Sequence, residues 1–599
     1  MQRLEDTSVL FILGLVGVAT VFLAWLALRK NVEAPLPYNV VPPQPATDSQ
    51  ILEAPSLKIP DSSLIQCYCP ATGSSLGRVN PSTRDGIDRA IAKAKEAQRQ
   101  WIKTSYAQRR KVLKTMLKFV LENQTAIARV ACYDSGKTMV DAALGEILVT
   151  AEKLQWTIDH GEASLKPEKR PTNFLMMYKS NEVIWQPLGV VAACVSWNYP
   201  FHNLISPIIA AIFAGNSIVV KGSEATAWSS KYFASIATEA LVACGHSPDI
   251  VQSVICWPNV ADHLTSHPDI AHITFIGSRP VAHHVCTSAA KALTPVCVEL
   301  GGKDPAIVMD ELSNSDFERV ASILMRGVFQ SAGQNCIGIE RIIAMPKVYE
   351  KLIANVQPRI AALRQGPACF APPDEIIDIG ASISDSSFNT VEELIEDAVK
   401  QGARLLVGGK RYTHPQYPKG HYFTPTLIVD VKPSMRIAMT ELFAPVFLMM
   451  RADSVDQCIA LANSTQYALG ASVYGSSKVD LERVVREVHA GMVAVNDFAV
   501  TYMVQLPFGG VKGSGYGRFA GKEGLRSLCN QKAVTRDRWP GVKTSIPPPM
   551  DLPIGGLGKK SPGAAGRPWQ MGMGIVWIGY GDWRGKLRGI KELTGYGGD

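Results

Sequence analysis

Five short stretches of this sequence concentrate side chains able to do covalent or acid–base work. Trp197-Asn198-Tyr199-Pro200, Lys221-Gly222-Ser223-Glu224, Gly277-Ser278 and Glu299-Leu300-Gly301-Gly302-Lys303 each follow a short apolar run, and Cys336 closes the stretch Phe329-Gln330-Ser331-Ala332-Gly333-Gln334-Asn335-Cys336. The types on offer are a thiol, carboxylates, a side-chain amide, ammonium groups and glycine-rich turns. A thiolate adds to carbonyl carbons, a carboxylate takes protons, and a turn opening a helix can hold phosphate. Each type also has an ordinary use. Buried cysteines are mostly inert, a turn asparagine is usually a local cap, and a lone glutamate at a strand end is usually solvated.

The elements that must position these side chains are legible as patterns. From Ser82 onward, Ile87, Ala90, Ile91 and Ala94 recur at helical spacing, as do Val112, Leu113, Met116, Leu117, Val120 and Leu121, which predicts amphipathic helices covering a sheet. Val190–Ser196, Ser217–Lys221, Ser253–Cys256, His272–Ile276 and Val296–Val298 read as strands, with helices over Leu204–Ala214 and Trp228–Cys244. That alternation predicts a parallel, doubly wound sheet, whose ligands lie at the carboxyl ends of its strands. The informative turns fall at those ends. A hairpin is expected over about 173–187, turning at Lys179-Ser180-Asn181, and a capping box at Ser315-x-x-Glu318 marks the start of the helix before Cys336. A second αβ series runs from Pro305 to Val495, so two α/β domains are the economical count.

Taken in order, together with Glu441-Leu442-Phe443-Ala444-Pro445 and Pro507-Phe508-Gly509-Gly510-Val511-Lys512-Gly513-Ser514-Gly515, these motifs resemble the aldehyde dehydrogenase superfamily from about Ile59 to Trp539. The resemblance implies an α/β fold of two doubly wound domains with a small oligomerisation β element. It implies that Cys336 attacks an aldehyde to give a thiohemiacetal, that the Asn198 amide and the Cys336 backbone N–H hold the oxyanion, and that Glu299 activates the water that hydrolyses the later thioester. For the cofactor it implies Gly277 and Ala282 at the pyrophosphate turn, with Ser278 and Trp197 donating to phosphate. It places Lys221 and Glu224 at the adenine ribose, and Glu441 and Phe443 at the nicotinamide ribose and ring. A carboxylate at the ribose repels a 2′-phosphate, so NAD is favoured over NADP, although Arg279 could accommodate that phosphate. Departures from the family pattern are Arg279-Pro280 after the turn, Ala282 for a second glycine, a longer interval between Glu299 and Cys336, and Ile337 after the cysteine. With its N-terminal apolar span and the stretch Gly333-Gln334-Asn335-Cys336-Ile337-Gly338-Ile339-Glu340-Arg341, the chain resembles the membrane-anchored branch of fungi and plants, one member of which takes its name from meiotic recombination, a role no residue here implies. Alternatives are a semialdehyde or pyrroline-carboxylate-type dehydrogenase, a CoA-acylating enzyme, against which Glu299 argues, and a catalytically silent membrane scaffold.

The remaining features bound this reading. The chain has 599 residues, 46% hydrophobic and 19% charged, which excludes a disordered or polytopic membrane protein. Of its net charge of +8, half sits after residue 539, so the body does not look like a nucleic-acid binder. Twelve cysteines without a CxxC pair suggest neither a zinc module nor a disulfide framework. After a flank at 1–8, Val9–Leu28 is an uncharged run of 20 residues, the length of one transmembrane helix, and Arg29-Lys30 after it puts the body on the cytosolic side, with the endoplasmic reticulum the first membrane expected. Residues 29–58, rich in proline, are expected to be an extended spacer holding the body off the membrane. The expected organisation is then an NAD-binding domain at 59–301, a catalytic domain at 302–508, a return segment with an oligomerisation strand at 509–539, and a basic Gly/Pro/Trp tail at 540–599 whose glycines weaken any helix. The expected partners are a small aldehyde, lipid-derived if the anchor governs access, the membrane itself, and further copies of the chain as a dimer or tetramer. No metal is expected.

Overall fold

The structure is a computed structural model that describes residues 32–45, 50–370, 375–498, 503–546, 550–552, 554 and 567–594, with Gly17, Thr20 and Val21 near the N-terminus. One compact unit holds the described residues up to Leu165 together with Pro187–Cys529; a second holds Lys166–Gln186 with those from Asn530 on.

The first unit contains two large sheets. In one, the strands lie in the order Gly515–Tyr516, Val296–Glu299, Ile273–Ile276, Val190–Cys194, Ser217–Lys221, Val251–Val254, all parallel except the first. Val190–Cys194 is buried along its whole length, as befits a strand covered on both faces. The winding reverses between Val190–Cys194 and Ile273–Ile276, which makes their carboxyl ends a topological switch point. Trp197-Asn198 and Gly277-Ser278 follow those two strands directly. The other sheet has the order Arg404–Val407, Thr426–Val429, Val446–Arg451, Ile339–Ala344, Asp304–Val308, Gly470–Tyr474, Met492–Val495, parallel except for the first pair. The boundary expected at 301/302 falls between Val296–Glu299 and Asp304–Val308, one strand of each sheet, inside the same compact unit.

The second unit carries a three-stranded sheet, Cys529–Asp537, Lys179–Pro187, Glu168–Arg170. The expected turn at Lys179-Ser180-Asn181 is instead the start of one continuous strand, paired through Asn181↔Arg170 and Val183↔Glu168. Those three residues include no glycine or proline to reverse the chain. The reversal comes earlier, where Asn173 caps the short turn Phe174–Met176 by accepting from the Met176 N–H. The tail also departs from expectation, forming two helices, Arg567–Tyr580 and Trp583–Thr594. Its glycines do not dissolve them. They let the two helices touch backbone to backbone, since a Cβ on Gly589 would sit 2.5 Å from the Gly574 carbonyl oxygen. The cost of glycine in each helix is offset by close packing.

The proline-rich segment does not stand off. Glu33 is buried and accepts from Arg110 and Lys114, each at 2.7 Å. The Leu36 N–H donates to Thr115, the Tyr38 hydroxyl donates to the Ile236 carbonyl, and the Tyr38 ring stacks on Phe119. Farther on, Ile51 and Lys58 bridge to Ser74 and Ile65. An extended proline-rich chain makes no internal hydrogen bonds, so its backbone and side chains are free to pair with the helices they cross. The helix before Cys336 starts at Asn314 rather than after Ser315, because the Ser313 hydroxyl caps the Asp316 N–H. Among the described residues no helix is long and apolar enough to cross a membrane; the expected span Val9–Leu28 lies outside them except for Gly17, Thr20 and Val21. All twelve cysteines are free.

Candidate active site

The nucleophile candidate sits on a strained turn. Helix Asn314–Phe329 runs into Gln330–Gly333, where Ser331, Ala332 and Gly333 all have positive φ, at 54°, 55° and 76°. Left-handed Ser and Ala are costly and persist only where their surroundings fix them. Here Gln334 acts as the staple: its amide donates to the Ser331 and Ala381 carbonyls at 3.0 and 3.4 Å, and its oxygen accepts from the Ile383 N–H at 2.9 Å. Only glycine fits at 333, since a Cβ there would lie 2.2 Å from the Ala444 carbonyl oxygen. Cys336 emerges half-buried just before strand Ile339–Ala344.

Glu299 ends the strand Val296–Glu299 and is 2% exposed. Its carboxylate accepts from the Gly301 N–H at 3.2 Å, and the Cys336 thiol is the second group that favours its charged form. Burial lifts its pKa to about 7, partly countered by those two groups. Burial also pushes the Cys336 thiol well up, and the Glu299 carboxylate beside it adds to the effect. The resting pair is therefore a neutral thiol against a carboxyl that exchanges its proton near neutrality.

Asn198 is buried and its amide is oriented from both sides. Its oxygen accepts from Ser196 Oγ at 2.7 Å and Asn203 Nδ2 at 3.2 Å, which turns its nitrogen onto the cysteine loop, donating to the Gln334 carbonyl at 3.2 Å. The backbone is fixed as well: Lys137 Nζ donates to the Asn198 carbonyl at 2.7 Å and to Glu146 at 2.6 Å. Glu146 in turn accepts from the Phe201 and His202 N–H groups, closing the first turn of helix Pro200–Ala214, which has no other side-chain cap. The wholly buried Lys137–Glu146 pair thus positions Asn198. Glu299, Cys336 and Asn335 open into one cavity with an apolar wall of Val149, Ile276, Val504, Phe508 and Phe519, into which Tyr199, Lys153, His202 and Asn203 also project.

Of the residues expected at a dinucleotide, Trp197, Gly277 and Ser278 follow the two switch-point strands, and Lys221 ends the strand beside them. Lys221 and Glu224 form an ion pair at 2.8 Å at the end of strand Ser217–Lys221, and Glu224 lines a cleft with Trp197, Trp257 and Ser384. Ser278 is exposed and caps no amide of helix Arg279–Ala290, which leaves the helix N-terminus free to meet phosphate. The methyl of Ala282 packs into the core with Val190, Ile273 and Val285 rather than crowding the turn. Arg279 lies against Gly513. Phe443, at a φ of 51°, sets its ring edge-on to Trp197 at 5.7 Å. Glu441 faces Glu299 and Cys336 electrostatically, and burial with the nearby carboxylates holds its pKa well up.

The predicted catalytic residues are therefore brought together, and of the cofactor residues Trp197 and Glu224 share one cleft, with Lys221 paired to Glu224 and Phe443 edge-on to Trp197. Sequence reasoning missed the groups that hold them. Glu340 accepts from the Leu442 and Phe443 N–H groups and from Lys303 Nζ at 2.7 Å, so a buried ion pair fixes the loop that carries Glu441 and Phe443. The signal available was a charge inside an apolar strand.

The sequence pattern of the aldehyde dehydrogenase family is matched by residues 59–534. An aldehyde dehydrogenase-like protein of Schizosaccharomyces pombe is 51% identical over 532 residues, 89% of this chain and 99% of its own length. One from Saccharomyces cerevisiae is 52% identical over 504 residues, 82% of this chain and 78% of its own. The crystal structure of a Mycobacterium tuberculosis aldehyde dehydrogenase complexed with NAD+ superimposes with a TM-score of 0.72 at 29% identity, covering 80% of this chain and 95% of that one. Neither fungal relative's name speaks of a membrane or of recombination.

Proposed function

The chain belongs to the aldehyde dehydrogenase family, and from that premise we propose that it oxidises an aldehyde to a carboxylate through Cys336, Glu299 and Asn198. The enzyme is NAD(P)-dependent. Glu299 takes the thiol proton, and the Cys336 sulfur adds to the aldehyde carbon. The carbonyl oxygen, now charged, is held by the Asn198 amide and the Cys336 N–H; one such donor in a dry site is worth ~10²–10³ in kcat. When bound, the dinucleotide would accept the aldehyde hydrogen together with the electron pair of its C–H bond, and as that bond breaks the oxyanion reforms a carbonyl, leaving an acyl thioester on Cys336. Glu299, its proton lost to solvent, then draws a proton from water; the water oxygen joins the acyl carbon, the carbon–sulfur bond breaks, and the proton returns to Cys336. Trp197, Lys221, Glu224, Gly277, Ser278, Glu441 and Phe443 hold the dinucleotide, and Glu224 favours NAD by repelling a 2′-phosphate.

The observation that carries this reading is the buried Glu299 carboxylate and the Cys336 thiol opening together into a single cavity. We propose further that Val9–Leu28 anchors the chain in a membrane with the body on the cytosolic face, supported by its 20 uncharged residues and by Arg29-Lys30. An oligomer built on the three-stranded sheet is supported by the largely exposed edge strand Cys529–Asp537, which is open to pairing. The test is NADH formation over a panel of short, long-chain and aromatic aldehydes, with Cys336→Ala as control. The variant binds NAD and forms no NADH; turnover that survives the substitution overturns the assignment.

A further inference from the structure

Among the described residues, the cavity in front of Cys336 is lined by a single cationic side chain. Gly145, Val149 and Lys153, spaced by four along one helical stretch, all face it, and Lys153 alone among the lining residues carries a positive charge. Lys153 is 2% exposed. Its ammonium donates to the Phe519 carbonyl at 3.2 Å, one acceptor for three donors. Among the described residues no opposing charge acts on it, and burial alone pulls its pKa down to about 8. The neighbouring polar groups do not serve as its partner. His202 is engaged with Thr150 at 2.9 Å and kept neutral by burial, and Lys137 is already paired with Glu146. A strut to the Phe519 carbonyl needs only a neutral donor. A buried ammonium without a counter-charge, opening into a substrate cavity, is a site for an anion brought by the ligand.

We infer that Lys153 receives the anionic end of the substrate, so that the preferred substrates are oxo acids carrying a carboxylate at the end away from the aldehyde. The inference rests on the dehydrogenase reading of the same cavity. It divides the cavity into a reacting end at Glu299 and Cys336, an apolar wall, and an anchoring end at Lys153. A simple aliphatic aldehyde would lay its hydrocarbon tail against the charge and gain nothing from it, so lipid-derived substrates narrow to those ending in a carboxylate.

The experiment measures kcat/KM for matched pairs on the full chain: 4-oxobutanoate against butanal, 6-oxohexanoate against hexanal, and 9-oxononanoate against nonanal. Wild type favours the acid at least tenfold in one pair. Lys153→Met lowers that ratio at least tenfold, chiefly through KM, and Lys153→Arg retains a preference for the acid. Neutral aldehydes that match or beat the acids at every length in wild type overturn the inference whatever the variants do. So does a ratio unmoved by Lys153→Met, since a strut moves both members of a pair together. A wild type that oxidises no aldehyde defeats the dehydrogenase reading itself, and the inference falls with it.

Discussion

Replacing Glu299 with glutamine separates what burial costs this carboxylate from what it contributes to the reaction. The side chain is 2% exposed, and burial lifts its pKa from 4.5 to about 7 against the pull of the Gly301 N–H and the Cys336 thiol. Between those values the folded chain holds more protons than the unfolded one, so stability falls as pH rises from about 4.5 to about 7 and stays reduced above that. A difference of roughly 2.5 in pKa, at about 1.4 kcal/mol per unit, makes the burden ~3 kcal/mol. At ~2 cal/mol/K per residue, a body of about 500 residues unfolds with an entropy of ~1 kcal/mol/K, which converts the burden into about 3 °C of Tm. Glu299→Gln keeps the shape and removes the charge. The variant should melt above wild type by about that margin at pH 8, with the gap closing towards pH 5, while kcat falls ~10²–10⁴-fold. Wild-type kcat/KM should drop below about pH 7 as the carboxylate is protonated. Thermal melts and NADH formation over pH 5–8 read both effects. A variant no more stable than wild type at pH 8, or a wild-type rate flat from pH 6 to 8, refutes the link between burial and basicity.

Two further substitutions probe the supports of the site. Gly333→Ala places a Cβ 2.2 Å from the Ala444 carbonyl oxygen at a positive φ, so a loss of ~2–4 kcal/mol in stability is expected together with a large fall in kcat; a variant with wild-type melting and rate would show that the turn before Cys336 is not held as described. At Glu33, burial opposes ionisation, but Arg110 and Lys114 overcome it and hold the carboxyl down to about 2. Its contribution is present above pH ~4.5 and is lost as pH falls towards 2. Glu33→Ala should cost about 2 kcal/mol, between the values of exposed and fully buried pairs, and speed limited proteolysis within 34–58; unchanged cleavage would mean that the segment is held without this ion pair.

Legibility varied with the range of the interaction. The strand ends carrying Asn198, Lys221, Gly277 and Glu299 could be read because local apolar runs and the turns after them both lie within a few residues. Ser217–Lys221 is observed with the bounds expected from the sequence, and Val190–Cys194 ends two residues before its expected limit. The groups that orient the site could not be read, because Lys137 meets the Asn198 carbonyl across 61 residues and Glu340 meets Phe443 across 103. Glu33 looks like any charge in a proline-rich spacer until Arg110 and Lys114 are placed opposite it. The glycines at 574 and 589 argue against a helix one at a time, and only their juxtaposition across two helices reverses their meaning.

The docking of Glu33 has a geometric corollary for an anchored chain. Glu33 comes five residue steps after Leu28, the last of the apolar run, and at ~3.5 Å a step such a leash reaches no farther than about 17 Å. A chain tethered through Val9–Leu28 would therefore hold the helix face bearing Arg110 and Lys114 within that distance of the headgroups. It would dock with a fixed footprint rather than swing on a flexible stalk, and its encounter with substrate would be governed by density per unit area and by which side of the body faces down.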